Sequence, residues 1–312
     1  MPNGNGGWAN HLPVTERLVG IDVGGSKMLA VAIERSRPSE VIARTIIPTP
    51  SDADGVLNAI VELAGKMRVE GHLGVGLAGL VEDRAVLRAA PNLKCMIDVP
   101  VRDPLSEALG VAVQVENDAT CALLAEMSFG VAKEVDDVVL VTLGTGIGGG
   151  IAIDRSLRRG AHGFAGEPGH MCVDPSGPLC VCGRYGCWER FASGTGVVWL
   201  AQQQGLHVDT TDQAITAEAL VEMARAGDAT AIGVWADFAE WLARGLANLA
   251  DVLDPDLFVI GGGLVDVVDL YLDRTRSAFI QQVLGGSART RTRIEPAQSG
   301  PSAGAIGAAL LH

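Results

Sequence analysis

Three cysteines, Cys180, Cys182 and Cys187, sit within eight residues, shortly after His170. Soft thiolates and an imidazole suit a tetrahedral zinc ion. Three Cys and one His leave no open coordination position, so such a site is structural. Pro178, Gly183 and Gly186 supply the turns that bring closely spaced thiols together. Cys95, Cys121 and Cys172 read as ordinary buried small residues.

Two glycine turns suggest a second chemistry. Asp22-Val-Gly-Gly-Ser-Lys27 and Leu143-Gly-Thr-Gly-Ile-Gly-Gly149 each separate two apolar runs, about 120 residues apart. A turn without side chains lets backbone N–H groups close around an anion such as phosphate. Two in one chain suggest two similar lobes gripping one phosphorylated ligand. Asp22 stands at a strand end, where it can serve a magnesium ion directly or through water. Gly144, Gly146 and Gly149 also spell the dinucleotide fingerprint, but that pattern counts only before a helix. Gly150-Ile-Ala-Ile153 reads as a strand, which argues against a nicotinamide enzyme, and no Walker A loop is present.

Carboxylates form the third group. Glu116-Asn117-Asp118 lies where a strand meets a helix. Asp118 there is either an N-cap, which position alone favours, or a general base for a substrate hydroxyl, with Asn117 as a hydrogen-bonding neighbour. Glu167 and Glu189 flank the cysteine loop and, taken alone, read as solvated loop charges. Asn92 in Pro91-Asn92-Leu93 reads as a turn residue.

The elements that must position these groups alternate. Leu18–Val23 and Met28–Glu34 form a hairpin about the first glycine turn. Gly55–Arg68 has helical spacing, Leu73–Leu77 and Val111–Val115 read as strands, and Ala119–Phe129 as a helix. Val138–Thr142 opens the second hairpin. The stretch 160–186 has no periodicity, and so long an irregular segment needs a function or a staple. A long amphipathic helix runs from about Thr230 to Leu253, with Val234, Trp235, Phe238, Trp241, Leu242, Leu246 and Leu249 on one stripe. A strand at Leu257–Ile260 ends in Gly261-Gly262-Gly263, and Ser302–Leu311 is a small-residue helix. Strands interleaved with helices give an α/β class.

Composition limits the partners. The 312 residues allow two ordinary domains, and 48% hydrophobic content argues for folded cores. A net charge of −13 opposes nucleic acid as a partner. The first 17 residues carry no apolar signal segment, and no apolar run reaches the roughly 20 residues of a membrane helix. A cytoplasmic protein with no membrane contact is therefore expected, and in that compartment thiols stay reduced or bind metal.

Several of these motifs together resemble the sugar kinases of the ROK group, within the actin–hexokinase superfamily. They are Gly166-Glu-Pro-Gly-His170, Cys180-Val-Cys-Gly-Arg-Tyr-Gly-Cys-Trp-Glu189, Val115-Glu-Asn-Asp118 and the two glycine turns. The likeness is greatest to the bacterial ATP-dependent glucokinases of that group. It implies a two-lobed, ribonuclease H-like fold with a ligand cleft, its small lobe formed by 1–118 with 302–312 and its large lobe by 119–301. It also implies transfer of the ATP γ-phosphoryl group to the 6-hydroxyl of glucose, with another hexose such as N-acetylmannosamine or fructose as the alternative acceptor. A sugar-sensing repressor of the same group fits less well, because only about 17 residues precede the first strand.

By the resemblance Asp118 is the catalytic base. Asn92, Asn117, Glu167, His170 and Glu189 hold sugar hydroxyls, and the backbone of Gly79 approaches the sugar. Gly24, Gly25, Ser26 and Lys27, with Gly144, Thr145 and Gly146, hold phosphates, and Gly261, Gly262 and Gly263 the adenosine. His170, Cys180, Cys182 and Cys187 bind zinc, and magnesium accompanies ATP. A homodimer or homotetramer is implied. Three departures stand out: Ser26 replaces the usual Thr, Pro168 stands where an aliphatic residue is common, and Thr120-Cys121 replaces the Asn-Ala pair often found after the base.

Overall fold

The computed structural model describes residues 16–91, 93–206, 215–289 and 291–311. Its first half runs β1 (Arg17–Val23), β2 (Lys27–Glu34), β3 (Arg37–Pro48), α1 (Ala53–Lys66), β4 (His72–Leu77), β5 (Leu80–Glu82), β6 (Val86–Ala89), β7 (Val99–Pro100), α2 (Arg102–Leu109), β8 (Ala112–Asn117) and α3 (Asp118–Phe129). The second half runs β9 (Val138–Leu143), β10 (Ile147–Ile153), β11 (Ser156–Leu157), α4 (Gly194–Gln203), α5 (Ala217–Arg225), α6 (Ala229–Leu253), β12 (Leu257–Gly261), α7 (Leu272–Gln282), β13 (Arg293–Pro296) and α8 (Ala303–Ala309).

The repeat legible in the glycine turns extends to whole sheets. One sheet has the order β3-β2-β1-β4-β8 and the other β11-β10-β9-β12-β13. In each, the glycine turn joins the central strand to an antiparallel neighbour, and the strands on the other side are parallel to it. Parallel pairing requires crossovers, which the helices supply. The strand after Gly149 excludes the dinucleotide fingerprint, as its sequence suggested.

Register gathers the functional ends. Asp22 pairs with Gly76, and Gly76 with Glu116, so β1, β4 and β8 deliver their carboxyl ends side by side. Gly261 pairs with Thr142, which brings the 262–263 and 144–146 turns together in the second sheet. Ligands of open α/β sheets bind beyond such strand ends.

Two helices join the sheets. Ala119, Leu123 and Met127 of α3 pack against Val138, Leu140 and Val259 of the second sheet. Ala125 packs with Ala305 and Ala309 of α8 against Leu18 and Val31 of the first. Glu126 of α3 is buried and accepts N–H groups from Val131, Gln298 and Ser299 at 2.7–2.9 Å. Both passages of the chain between the sheets are therefore tied at one carboxylate.

Two elements were not legible from spacing. β3 is an edge strand whose residues carry charges and a proline and are mostly solvent-facing, so no apolar alternation marks it. α2 is too short for helical periodicity and contains Pro104; Gly110 in the left-handed conformation closes it. Among the described residues, no helix is long and apolar enough to cross a membrane.

Candidate active site

Asn117 ends β8 and caps α3, its Oδ1 accepting the Thr120 N–H at 3.0 Å. Asp118 is consequently the first helical residue, and the cap role that position favoured for it belongs to its neighbour. Its Oδ1 accepts the local Ala119 N–H at 2.8 Å, and among the described residues the carboxylate has no side-chain partner, which leaves it available to a ligand. The Asn117 Nδ2 donates to the Gly79 carbonyl at 3.2 Å, so this side chain has one N–H left to offer a substrate. Gly79 has φ +152, and a Cβ there would stand 2.3 Å from the Ala89 carbonyl oxygen. Packing alone therefore requires this glycine. Asn92 lies outside the described residues.

Three carboxylates share the pocket. Burial pushes the Asp118 carboxyl up to about 6. Asp22 rises to about 7, through burial and then the charge of Asp118, with Lys27 opposing. Glu167 rises to about 7, through burial and then the charges of Asp118 and Glu189. Neighbouring carboxylates with raised pKa values mark a site built to take protons or cations.

Pro168 opens a 3-10 turn, Pro168–His170, that carries Glu167 at its cap and His170 at its end. A Cβ on Gly149 would stand 2.7 Å from the proline ring, so this departure from the group's pattern seats the turn directly on β10. His170 Nδ1 faces Cys180 Sγ at 3.7 Å, and Cys182 Sγ lies 3.5 Å from Cys187 Sγ. The four donor atoms all fall within 4.8 Å of one another, a group able to hold a metal ion. Cys172, read above as buried, is exposed beside this loop and pairs by backbone with Cys187.

Glu189 joins the loop to the second glycine turn. Its Oε1 accepts from Cys180 Sγ at 2.9 Å, and its Oε2 lies 3.4 Å from the Ile147 N–H. A side chain on Gly146 would meet that carboxylate at 2.3 Å. Trp188 fixes the position of Glu189 by lying on α6. The indole N–H donates to the Trp241 carbonyl at 2.8 Å, and a Cβ on Gly245 would stand 1.9 Å from the ring. Gly245→Ala should therefore cost about 1–3 kcal/mol through overpacking and displace Glu189. Thermal unfolding checks the first effect; an unchanged Tm would show that the helix and indole can separate freely.

The glycine turns are braced by residues that motif reading missed. Thr49 Oγ1 donates to the Gly24 carbonyl at 2.7 Å, and the Thr49 N–H to the Ser26 carbonyl at 3.1 Å. Gly25, Ser26 and Lys27 are left exposed at the tip. At the second turn, the first residues of α4 do the same work. The Gly194 N–H donates to the Gly144 carbonyl and Thr195 Oγ1 to the Thr145 carbonyl. The Ser193-Gly-Thr-Gly run, with Ser193 as N-cap, is the signal that could have revealed this. A Cβ would meet nothing within 4 Å at Gly144 or Gly263, so open space lies in front of both. Gly261 ends β12, and Gly262, at φ +82, turns the chain away against Leu143.

Paired glycine turns facing a carboxylate cluster, beside a His/Cys3 loop, reproduce the motifs that carried the resemblance. Residues 18–312 match the ROK family. The chain belongs to that family. It is 36% identical over 309 residues to a glucokinase of Streptomyces coelicolor, covering 94% of this chain and 96% of that protein. It is 32% identical over 295 residues to an N-acetylmannosamine kinase of Salmonella arizonae, covering 93% and 96%. The crystal structure of a ROK family glucokinase from Streptomyces griseus, in complex with glucose and AMPPNP, superposes with a TM-score of 0.82 at 37% identity, covering 94% of this chain and 98% of that one. The expected two-lobed kinase fold is thus the fold of this ROK protein.

Proposed function

We propose that this ROK protein transfers the γ-phosphoryl group of ATP to the 6-hydroxyl of glucose. The observation that carries the reading is Asp118: a carboxylate held by one backbone N–H, with its pKa raised toward neutrality, between two glycine turns. Its relatives that are glucokinases, one of them complexed with glucose and an ATP analogue, support the choice of acceptor and donor.

A sugar hydroxyl is a poor nucleophile. Asp118 accepts its hydrogen bond, aims the oxygen at the γ-phosphorus and takes the proton as the new P–O bond forms and the bond to ADP breaks. The remaining sugar hydroxyls meet Glu167, Glu189, the free Asn117 N–H, the His170 ring and Asn92, and the backbone at Gly79 borders them. Gly24, Gly25, Ser26 and Lys27 and, opposite, Gly144, Thr145 and Gly146 hold the phosphates, and Gly261–Gly263 border the adenosine. Asp22, a carboxylate beside the first turn, suits a hard cation, and magnesium there would neutralise phosphate charge. With 1–118 and 302–312 forming one lobe and 119–301 the other, closure over the ligands excludes water.

His170, Cys180, Cys182 and Cys187 fit zinc by donor type. The His170–Cys180 and Cys182–Cys187 separations of 3.7 and 3.5 Å are near the tetrahedral edge, about 3.8 Å for bonds of about 2.3 Å, and all four donors fall within 4.8 Å. These four residues would hold the ion, which would order the loop away from the phosphoryl group. Nδ1 of His170 faces the thiols, which leaves Nε2 for a sugar hydroxyl. Cys180 held as a thiolate would no longer donate to Oε1 of Glu189, and that oxygen would then be open to the sugar.

A coupled assay of ADP release across a hexose panel, with and without magnesium, tests the reading. Glucose should give the highest kcat/KM. A preference for N-acetylmannosamine or fructose would reassign the acceptor, and no sugar-dependent ADP release with zinc bound would refute the kinase assignment.

A further inference from the structure

One buried ion pair spans the two lobes behind the site. Glu116, 4% exposed at its side chain, is the next-to-last residue of β8, directly before Asn117 and Asp118. Its Oε1 accepts the Asn117 N–H at 3.1 Å, and its Oε2 accepts Nε–H of Arg159. Arg159 belongs to the second lobe, in the loop that leads from β11 to Glu167.

That loop is built as a strap. Its base is fastened to β10 by the Arg158 N–H, which donates to the Ile151 carbonyl at 2.7 Å. It closes on itself through the Ala165 N–H, which donates to the Arg159 carbonyl at 3.0 Å. Its crown reaches the first lobe, where a Cβ on Gly163 would stand 2.3 Å from the Val81 carbonyl oxygen. A cavity of about 240 Å3 is lined by Arg159 together with Arg84, Leu157 and Leu310. The hydrogen bond to Glu116 holds the guanidinium at the wall of that cavity.

We infer that Arg159 is a positioning residue for the sugar site: through Glu116 it sets Asn117 and Asp118 of one lobe against Glu167 of the other. The inference rests on the kinase reading for its substrate and on geometry for its mechanism. A buried, charge-assisted contact holds a fixed geometry better than a solvated one. Losing Arg159 takes from the buried Glu116 carboxylate its hydrogen-bonded partner and leaves only the nearby charge of Arg84 to offset it.

The test compares Arg159→Met, Arg159→Lys and the double variant Glu116→Gln/Arg159→Met, each with full metal content. Arg159→Met should raise KM for glucose by about tenfold or more and leave KM for ATP within about twofold; Arg159→Lys should fall between it and the wild type. The double variant removes the buried carboxylate together with Arg159, leaving Arg84 beside a neutral amide, so it should regain most of the lost Tm while KM for glucose stays raised. Return of glucose KM together with Tm would reduce the pair to a purely structural contact and overturn the proposal. So would glucose binding by Arg159→Met within about twofold of wild type in calorimetry. Hydrogen exchange at 160–167 separates this proposal from the kinase reading. Should the wild type prove inactive on every hexose, faster exchange there in Arg159→Met still supports the strap, and unchanged exchange refutes it.

Discussion

Asp118→Asn lowers kcat by about 10²–10⁴-fold while the protein still binds sugar. The Asn side chain keeps the size and one acceptor of the carboxylate but cannot take the hydroxyl proton. Wild-type kcat/KM falls as pH drops through about 7, where Glu167 gains a proton and loses acceptor capacity for the sugar, and then through about 6, where protonated Asp118 can no longer act as base. The same change stabilises the unliganded protein. Burial raises the Asp118 pKa from 3.8 to about 6. Between those values the folded chain holds a proton that the unfolded chain has released. The favourable contribution is fully present below 3.8 and is lost as pH rises through about 6. A neutral Asn escapes that loss, so above this range the variant gains up to about 3 kcal/mol, and the gap closes in acid. Turnover, calorimetric glucose binding and Tm at two pH values check all three statements. Near-wild-type turnover would remove Asp118 from the base role.

Cys182→Ala removes one of four converging donors and should reduce bound zinc from about one per chain to none, with sugar affinity falling by about 10–100-fold. The tip of the loop has little core to order it, since Leu179, Val181 and Tyr185 all face solvent. Its base is held by Met171 and Val173, which pack on the core of the second sheet, and by backbone hydrogen bonds such as Val173 N–H to the Gly186 carbonyl. His170 and Glu189 border this loop, so their placement relaxes with it, whereas the glycine turns are braced separately by Thr49 and α4. The loss therefore appears in KM for glucose more than in KM for ATP. Elemental analysis, with kinetics before and after chelation, measures both. Full glucose affinity in a metal-free protein would show that the sugar pocket is ordered without zinc.

What the sequence determined by itself was the set of chemical groups and the duplicated plan. Glycines in a turn, thiols with an imidazole and an acid at a strand end are local patterns, each dictated by backbone freedom or donor chemistry. The amphipathic stripe of α6 and the buried strands were legible for the same reason: their periodicity follows from one-sided burial. An edge strand such as β3 and a one-sided helix as short as α2 carry too little of that signal.

Tertiary structure decided which groups meet and what each is free to do. Asp118 changed from cap to available carboxylate because Asn117 took the cap. Gly79 proved necessary to packing, and Glu189 turned out to bridge the thiol loop and a glycine turn 42 residues away. Thr49 and Arg159 belong to no motif, because their roles depend on partners distant in the chain. A raised carboxylate pKa is likewise a property of assembly: burial and neighbouring charge exist only once two sheets, joined through α3 and α8, have enclosed the site.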